Sequence, residues 1–238
     1  RIFRNEGMSA EHLQDYTQME FYWAFANYRD GMKLVLELYR HVAKETFGTL
    51  QFNGCSRSFD LGAEWKEYDF CELIKEKTGI DVLGANLSEV ETKIEELGVV
   101  YDQKQSNMAR AVDALWKYCR KDIGGPGFLV HVPVFLEPLA KRREGKLEVV
   151  ERFQVILAGS EMGKGYSELN DPVDQRKRME EQQRMREAGD EEAQMIDEDF
   201  IEALEYGMPP TCGFGVSERL FSVLAGVPVR EGQIFPLM

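Results

Sequence analysis

Histidine is nearly absent from this 238-residue chain: His12, His41 and His131 are the whole supply, and no nucleophile pattern surrounds any of them. A Ser-His-Asp or Cys-His hydrolase would therefore lack its positioned base. Cysteine is as sparse. Cys55, Cys71, Cys119 and Cys212 stand far apart with no metal-ligand spacing, which indicates neither a zinc ribbon nor a disulfide framework; the thiols read as core or inert groups in a reducing cytosol. No apolar run approaches the roughly 20 residues that span a bilayer, and no charged-then-apolar leader opens the sequence. The expectation is a cytoplasmic protein with no membrane partner. Basic residues are in deficit. With 29 Lys and Arg against 42 Asp and Glu, the net charge is −13, which argues against broad nucleic-acid binding by this segment; any such contact must be local or made by parts outside it. Internal repeats and low-complexity linkers are missing as well.

What is present builds a core. A hydrophobic fraction of 43% suits one large domain or two small ones. Thr17 to Ala26 alternates with period two: Thr17, Met19, Phe21, Trp23 and Phe25 form an aromatic row expected in the core, while Gln18, Glu20, Tyr22 and Ala24 form the floor of a site. From Asp30 the period becomes helical, with Leu34, Val35, Leu38, Tyr39 and Val42 as the stripe and Gly48 as the stop. Short strands are expected around 50–52 and 59–61. A helical insertion around 65–125 follows, with capping boxes at Asp69-x-x-Glu72 and Ser88-x-x-Glu91 and a helix from Met108 to Arg120. Gly124-Gly125-Pro126-Gly127 breaks it before a buried strand from Phe128 to Val134. A second strand runs from Glu151 to Ala158. Asp171-Pro172 then opens a charged helix to about Gly189, read as a solvated face. The mixture predicts an α+β fold, an antiparallel sheet flanked by helices.

Two stretches at opposite ends carry the chemistry. Arg4-Asn5-Glu6-Gly7 through Glu20-Phe21-Tyr22 reads as a strand, a polar loop and a returning strand with an arginine at one base. Gly213-Phe214-Gly215-Val216-Ser217-Glu218-Arg219 reads as a Gly-rich turn that delivers a second arginine to the start of a helix. Two arginines on rigid supports, facing carboxylates, suit a polyphosphate held with metal ions.

These stretches resemble motifs 2 and 3 of the class II aminoacyl-tRNA synthetases, and the details are similar to the lysyl family. Arg4-Asn5-Glu6-Gly7-Met8-Ser9, His12, Tyr16-Thr17 and Met19-Glu20-Phe21-Tyr22 match motif 2. The resemblance implies that Arg4 bridges the amino-acid carboxylate and the α-phosphate, Glu6 reads the adenine amino group, His12 meets the outer phosphates and Tyr16 stacks on adenine. Glu161-x-Gly163-x-Gly165-Tyr166-Ser167-Glu168-Leu169-Asn170-Asp171 is the second match; it implies a metal-binding Glu161 and a lysine pocket in which Glu168 and Tyr22 hold the ε-ammonium with help from Glu20. Arg219 matches the clamp on the outer phosphates of ATP. The cofactor implied is Mg2+, with ATP as substrate. Seven positions separate Glu161 from Glu168, so a regular strand would face them oppositely; a bulge at Gly163 or Gly165 is required.

The chain departs from the family at several points. Gln154 stands where a second metal-binding glutamate is usual, Lys164 where an asparagine is usual, and Leu13 replaces a polar residue; the motif 3 turn is one residue short. Pro138-Leu139-Ala140-Lys141-Arg142 also matches, with no chemistry assigned. Arg1-Ile2-Phe3-Arg4 begins inside a strand and Ile234-Phe235-Pro236-Leu237-Met238 stops after a strand-like run, so residues 1–238 are expected to be a partial catalytic domain, with motif 1 and an anticodon-binding OB domain upstream. The resemblance implies a lysine–tRNA ligase, with ATP, L-lysine and tRNA(Lys) as partners and a homodimer for the full-length protein. Two alternatives stay open: a paralogue that charges a protein lysine, and a non-catalytic ATP- and lysine-binding regulator.

Overall fold

A computed structural model of the chain describes all residues except 5–8, 10–11, 55–56, 102–105, 191–192 and 236–238. In chain order the strands and helices are β1 (Ile2–Phe3), β2 (Asp15–Tyr16), β3 (Gln18–Ala24), α1 (Tyr28–Phe47), β4 (Gln51–Gly54), β5 (Arg57–Asp60), β6 (Lys66–Asp69), α2 (Phe70–Thr78), α3 (Leu87–Glu96), α4 (Met108–Cys119), β7 (Gly127–Val130), β8 (Arg142–Arg143), β9 (Lys146–Val150), β10 (Arg152–Leu157), β11 (Ser160–Ser167), α5 (Pro172–Glu187), α6 (Glu198–Tyr206), β12 (Thr211–Ser217) and α7 (Arg219–Ala225). Six strands form the main sheet in the order β3-β12-β11-β10-β7-β6, antiparallel throughout except for the parallel pair β6–β7. The α+β expectation stands.

Local chemistry explains the helix limits. Asn27 caps α1 by accepting from the amides of Arg29 and Asp30, while the Asp30 carboxylate accepts from the Asn27 amide, and Gly48 ends the helix in the left-handed conformation at φ 71°. Asp171 caps α5, with Pro172 in its first turn. The capping box expected at Ser88 sits two residues earlier: Asn86 and Glu89 cap each other, so α3 begins at Leu87. Asp69 does cap α2, accepting from the amides of Cys71 and Glu72. The insertion is not wholly helical, because β6 is a strand of the main sheet and only then gives way to α2, α3 and α4.

Each face of the sheet has its own core. On one face, Met32, Val35 and Tyr39 of α1 meet Phe128, Val130, Phe153, Val155, Leu157, Cys212 and Phe214. On the other, Leu129 and Ile156 are covered by Phe70, Ile74, Ala111, Val112, Leu115 and Trp116 from the insertion helices. Each such large side chain contributes roughly 1.5–3 kcal/mol when buried. The buried stripe of α1 is rotated from the expected one, so Leu34 is exposed.

The aromatic row of β3 does not lie in the core. Phe21 packs against it, but Met19, Trp23 and Phe25 are 41%, 44% and 83% exposed. Among the described strands β3 is one of the two edge strands of the sheet, α1 packs over β10, β11 and β12 instead, and Phe25 leaves the strand at φ 61°. Ile234 and Phe235 are exposed and lie outside any strand. The charged helix α5 also differs from expectation: Arg178 is buried and donates to the Ala140 carbonyl at 2.6 Å and to Asp174 at 2.6 Å, while Arg142 donates to Asp174 at 3.0 Å. One side of α5 thus fastens the segment 138–142 to the domain. The thiols behave as expected, with Cys71, Cys119 and Cys212 buried and unpaired to one another; burial pushes them up to about 12, 11 and 12. Cys55 lies outside the described residues.

Candidate active site

The insertion helices cover mainly the β7 and β10 side of the second face and reach β11 at Glu161 and Tyr166. Over β11, β12 and β3 that face is open and forms a cavity of about 610 Å3. Strand register places its side chains in rows. Arg152, Tyr166, Gly213 and Tyr22 make one row; Gln154, Lys164, Gly215 and Glu20 make the next; Ser217 opposite Gln18 continues the pattern. The middle strand carries glycines because its neighbours need the space. A Cβ on Gly213 would overlap the Glu168 carboxylate, and one on Gly215 would lie 3.2 Å from Glu20 Cγ. The Gly-rich segment is therefore the interior of β12, not a turn. Its last step does bring Arg219 to the first residue of α7.

The bulge required by the spacing is present at Gly163. Gln154 pairs with Lys164 but Ile156 pairs with Glu161, so two steps along β10 answer three along β11. Gly163 has φ 114°, in a region that side chains avoid. Met162 consequently points into the α1 core, whereas Glu161, Lys164, Tyr166 and Glu168 all line the cavity. Tyr39 donates to the Met162 carbonyl and fastens the bulge from below.

At one end of the cavity, Glu168 is pushed up to about 8, first by burial and then by the charge of Glu137. Among the described residues no Lys or Arg forms an ion pair with it. Tyr22 is raised by burial and by Glu168 and Glu20, and Tyr166 is raised by burial and then by Glu168, Glu137, Tyr22 and Glu20. Such an acid awaits a cation. Without one, its ionisation opposes folding: its contribution to stability is whole below about 4.5 and is lost as pH rises toward 8. A ligand ammonium reverses the preference, because it binds the ionised form and expels the proton. Affinity for such a ligand is expected to rise from pH 6 to pH 8, with proton release on binding. Calorimetry in buffers of different ionisation enthalpy measures that release, and a flat profile would show that Glu168 does not receive the ammonium.

At the other end, Glu161 Oε1 accepts from the indole of Trp116 on α4 at 2.6 Å, and the Glu161 carbonyl lies 3.5 Å from Arg219 Nη1. Arg219 Nε is buried with no hydrogen-bond partner among the described residues. Arg4 lines the cavity where it follows β1, and its backbone N–H donates to the Gln14 carbonyl at 2.9 Å beside the β1–β2 pair. His12, with Nδ1 2.8 Å from Ser9 Oγ, and Tyr16 line it too. Glu6 lies outside the described residues. Arg4, His12, Tyr16, Glu20, Tyr22, Gln154, Glu161, Glu168 and Arg219 are thus brought to one cavity.

The family model described as "tRNA synthetases class II (D, K and N)" matches residues 1–238. The chain belongs to the class II tRNA synthetases. It is 42% identical to the lysine–tRNA ligase of Thermotoga sp. (strain RQ2), over 99% of this chain and 47% of the relative. It is 41% identical to that of Roseiflexus sp. (strain RS-1), over 100% and 49%. The identity to that of Porphyromonas gingivalis is 38%, over 100% and 42%. The chain spans about half the length of these relatives.

A class II synthetase site implies a divalent ion with the nucleotide. Among the described residues no cluster of three His, Cys, Asp or Glu forms a metal cage. Glu161 keeps one oxygen free of the Trp116 indole, and Mg2+ is commonly held by one or two carboxylates plus substrate phosphates. One ion fits on those terms. Gln154 fits less well, because its side-chain oxygen already accepts from Arg152. The cavity also contains residues to which the sequence alone assigns no role. Arg152, Lys164, Tyr166, Leu139 and Gln194 line the cavity, and behind Lys164 the buried Glu137 lies 3.1 Å from its ammonium and 3.5 Å from Arg152 Nε. Period-two alternation along β10 and β11 could have found Arg152 and Tyr166. Glu137 could not be found that way, since it enters from a loop.

Proposed function

We propose that this chain is the catalytic part of a lysine–tRNA ligase, which activates lysine with ATP to lysyl-adenylate and pyrophosphate and then transfers it to the 3′ end of tRNA(Lys). The observation that carries the reading is Glu168, a half-buried acid that no Lys or Arg pairs with among the described residues, beside Tyr22 in the cavity. It suits the ε-ammonium of lysine, with the Tyr22 phenol beside it and Glu20 one row away. The substrate's carboxylate then points toward the arginine end. A carboxylate is already a nucleophile, so the reaction asks for charge cancellation and alignment, not for a base. Arg4 suits the junction of carboxylate and α-phosphate, and Arg219 the outer phosphates, each with the fork geometry that holds such groups. Tyr16 and Glu6 are assigned to the adenine. Glu161 would hold a Mg2+ ion that, when bound, supplies further neutralisation of the phosphates. The homodimer and the cytoplasmic setting belong to the same proposal. No helix among the described residues is long and apolar enough to cross a membrane.

The test is ATP–pyrophosphate exchange by the full-length protein with each of the standard amino acids in turn. Exchange is expected with lysine and not with arginine or glutamine. Exchange driven by another amino acid, or none at all, would overturn the assignment.

A further inference from the structure

Gln154 and Lys164 are direct cross-strand neighbours, and both face the cavity. An amide and an ammonium therefore stand side by side where a polyphosphate would lie. The oxygen of Gln154 is taken by Arg152. Other carboxylates nearby are engaged as well: Glu218 accepts from the Thr17 amide at 3.2 Å with one oxygen and from Gln233 with the other, Glu20 accepts from Gln18, and Glu161 gives one oxygen to Trp116. Mg2+ demands near-octahedral oxygen coordination. After a first ion on Glu161, a second would find no unoccupied carboxylate on β10 or β11 in this part of the cavity.

Lys164 has what the missing carboxylate site lacks. Its ammonium is 3.1 Å from Glu137 Oε1, and its side chain is still about half exposed at 46%. An ammonium has three donors, so the bond to Glu137 orients the group and leaves donors for a ligand. Glu137 is itself balanced from behind by Arg152 at 3.5 Å, and the trio of two cations and one anion presents net positive charge to the cavity. Among the described residues no ion pair joins Lys164 to Glu168; the ammonium is engaged with Glu137 instead.

We propose that Lys164 is a phosphate-binding residue of the nucleotide site and acts as a fixed cation in the place of a second divalent ion. The inference rests on the reading of the cavity as an ATP site.

Calorimetric titration of the full-length protein with ATP, without lysine, over a range of free Mg2+ tests it. Wild-type affinity is expected to depend on one Mg2+ per nucleotide. K164Q should bind ATP about 10- to 100-fold more weakly, the loss expected for a hydrogen bond to a charged group, and added Mg2+ should not restore it. K164R should stay within about threefold of wild type. In Q154E/K164Q, affinity should return at millimolar Mg2+ with a steeper dependence that corresponds to one further ion. Because K164Q leaves Glu137 with one partner fewer, E137Q/K164Q is measured beside it, with thermal unfolding to verify that both fold. Unchanged ATP affinity in K164Q and E137Q/K164Q would overturn the phosphate contact. An unchanged Mg2+ dependence in Q154E/K164Q would overturn the replacement of an ion. A wild-type protein that bound no ATP at any Mg2+ concentration would instead overturn the ATP-site reading itself.

Discussion

On the proposed function, glutamine in place of Glu168 is expected to raise the KM for lysine by about 10²- to 10³-fold and to leave the KM for ATP within about threefold. The asymmetry follows from where the charge sits. Glu168 lies just past the end of β11 beside Tyr22, whereas Glu161 and Arg219 lie toward the start of that strand, and among the described residues no Lys or Arg pairs with the acid. Removing one partner of a buried charge pair costs about 2–5 kcal/mol, because the other is left uncompensated. The free protein at neutral pH holds much of Glu168 protonated, so part of the gross attraction is already spent on expelling that proton. The loss then falls in the middle of the range, and each 1.4 kcal/mol or so is tenfold. Glutamine also removes the rise in lysine affinity between pH 6 and pH 8. Steady-state pyrophosphate exchange decides: equal increases in both KM values would mean that the acid supports the whole cavity and not the lysine end.

Alanine at Gly163 is expected to lower the stability of the domain by about 3–5 kcal/mol. Two costs add. The backbone at φ 114° is strained for any side chain, worth about 1–3 kcal/mol. The added Cβ would lie 2.7 Å from Tyr39 Oη, 2.9 Å from Phe214 Cζ and 3.1 Å from the Gly215 carbonyl, and overpacking of that kind costs about 1–3 kcal/mol more. Tyr39 cannot yield easily, since it is fully buried and donates to Met162. Against a total of about 5–15 kcal/mol, the melting temperature should fall by about 6–20 °C. Gly145→Ala is the control. It also has positive φ, at 78°, but nothing lies within 4 Å of its added Cβ, so it isolates strain from crowding. A Gly163→Ala protein that melts with the control would show that the bulge tolerates a side chain.

The contrast between legible and illegible residues has a physical basis. Glu20, Tyr22, Glu161 and Arg219 are legible as cavity residues because each sits in a strand or at a helix start that fixes which way its side chain points, and Arg4 and Glu168 directly follow such strands. The bulge was readable from arithmetic alone: seven positions and a period of two cannot share a face without an added residue. Trp23 and Met19 misled, because alternation says that a strand has two different faces and not which element covers either one. The Gly213 and Gly215 turn misled for a related reason. Glycine marks tight turns and close side-chain approach equally well, and only the positions of Glu168 and Glu20 across the strands distinguish the two. Glu137 and Trp116 were invisible because they reach the site from a loop and from α4, at separations of 27 residues from Lys164 and 45 from Glu161.

The burial of β10 on both faces ties the whole domain into one cooperative unit. Phe153, Val155 and Leu157 belong to one core and Ile156 to the other, and the strand is hydrogen-bonded on one side to β7 and on the other to β11. Neither core is expected to melt while the other persists, because each uses β10 as its wall. Amides of β10 should accordingly exchange with solvent only through global opening, whereas the ends of β3 exchange through local fraying. The active cavity has no private reserve of stability. Its integrity at any temperature equals that of the insertion helices on the opposite side of Ile156, so damage to Leu115 or Ile74 is felt by the ligands as a smaller fraction of competent molecules and not as a weaker site.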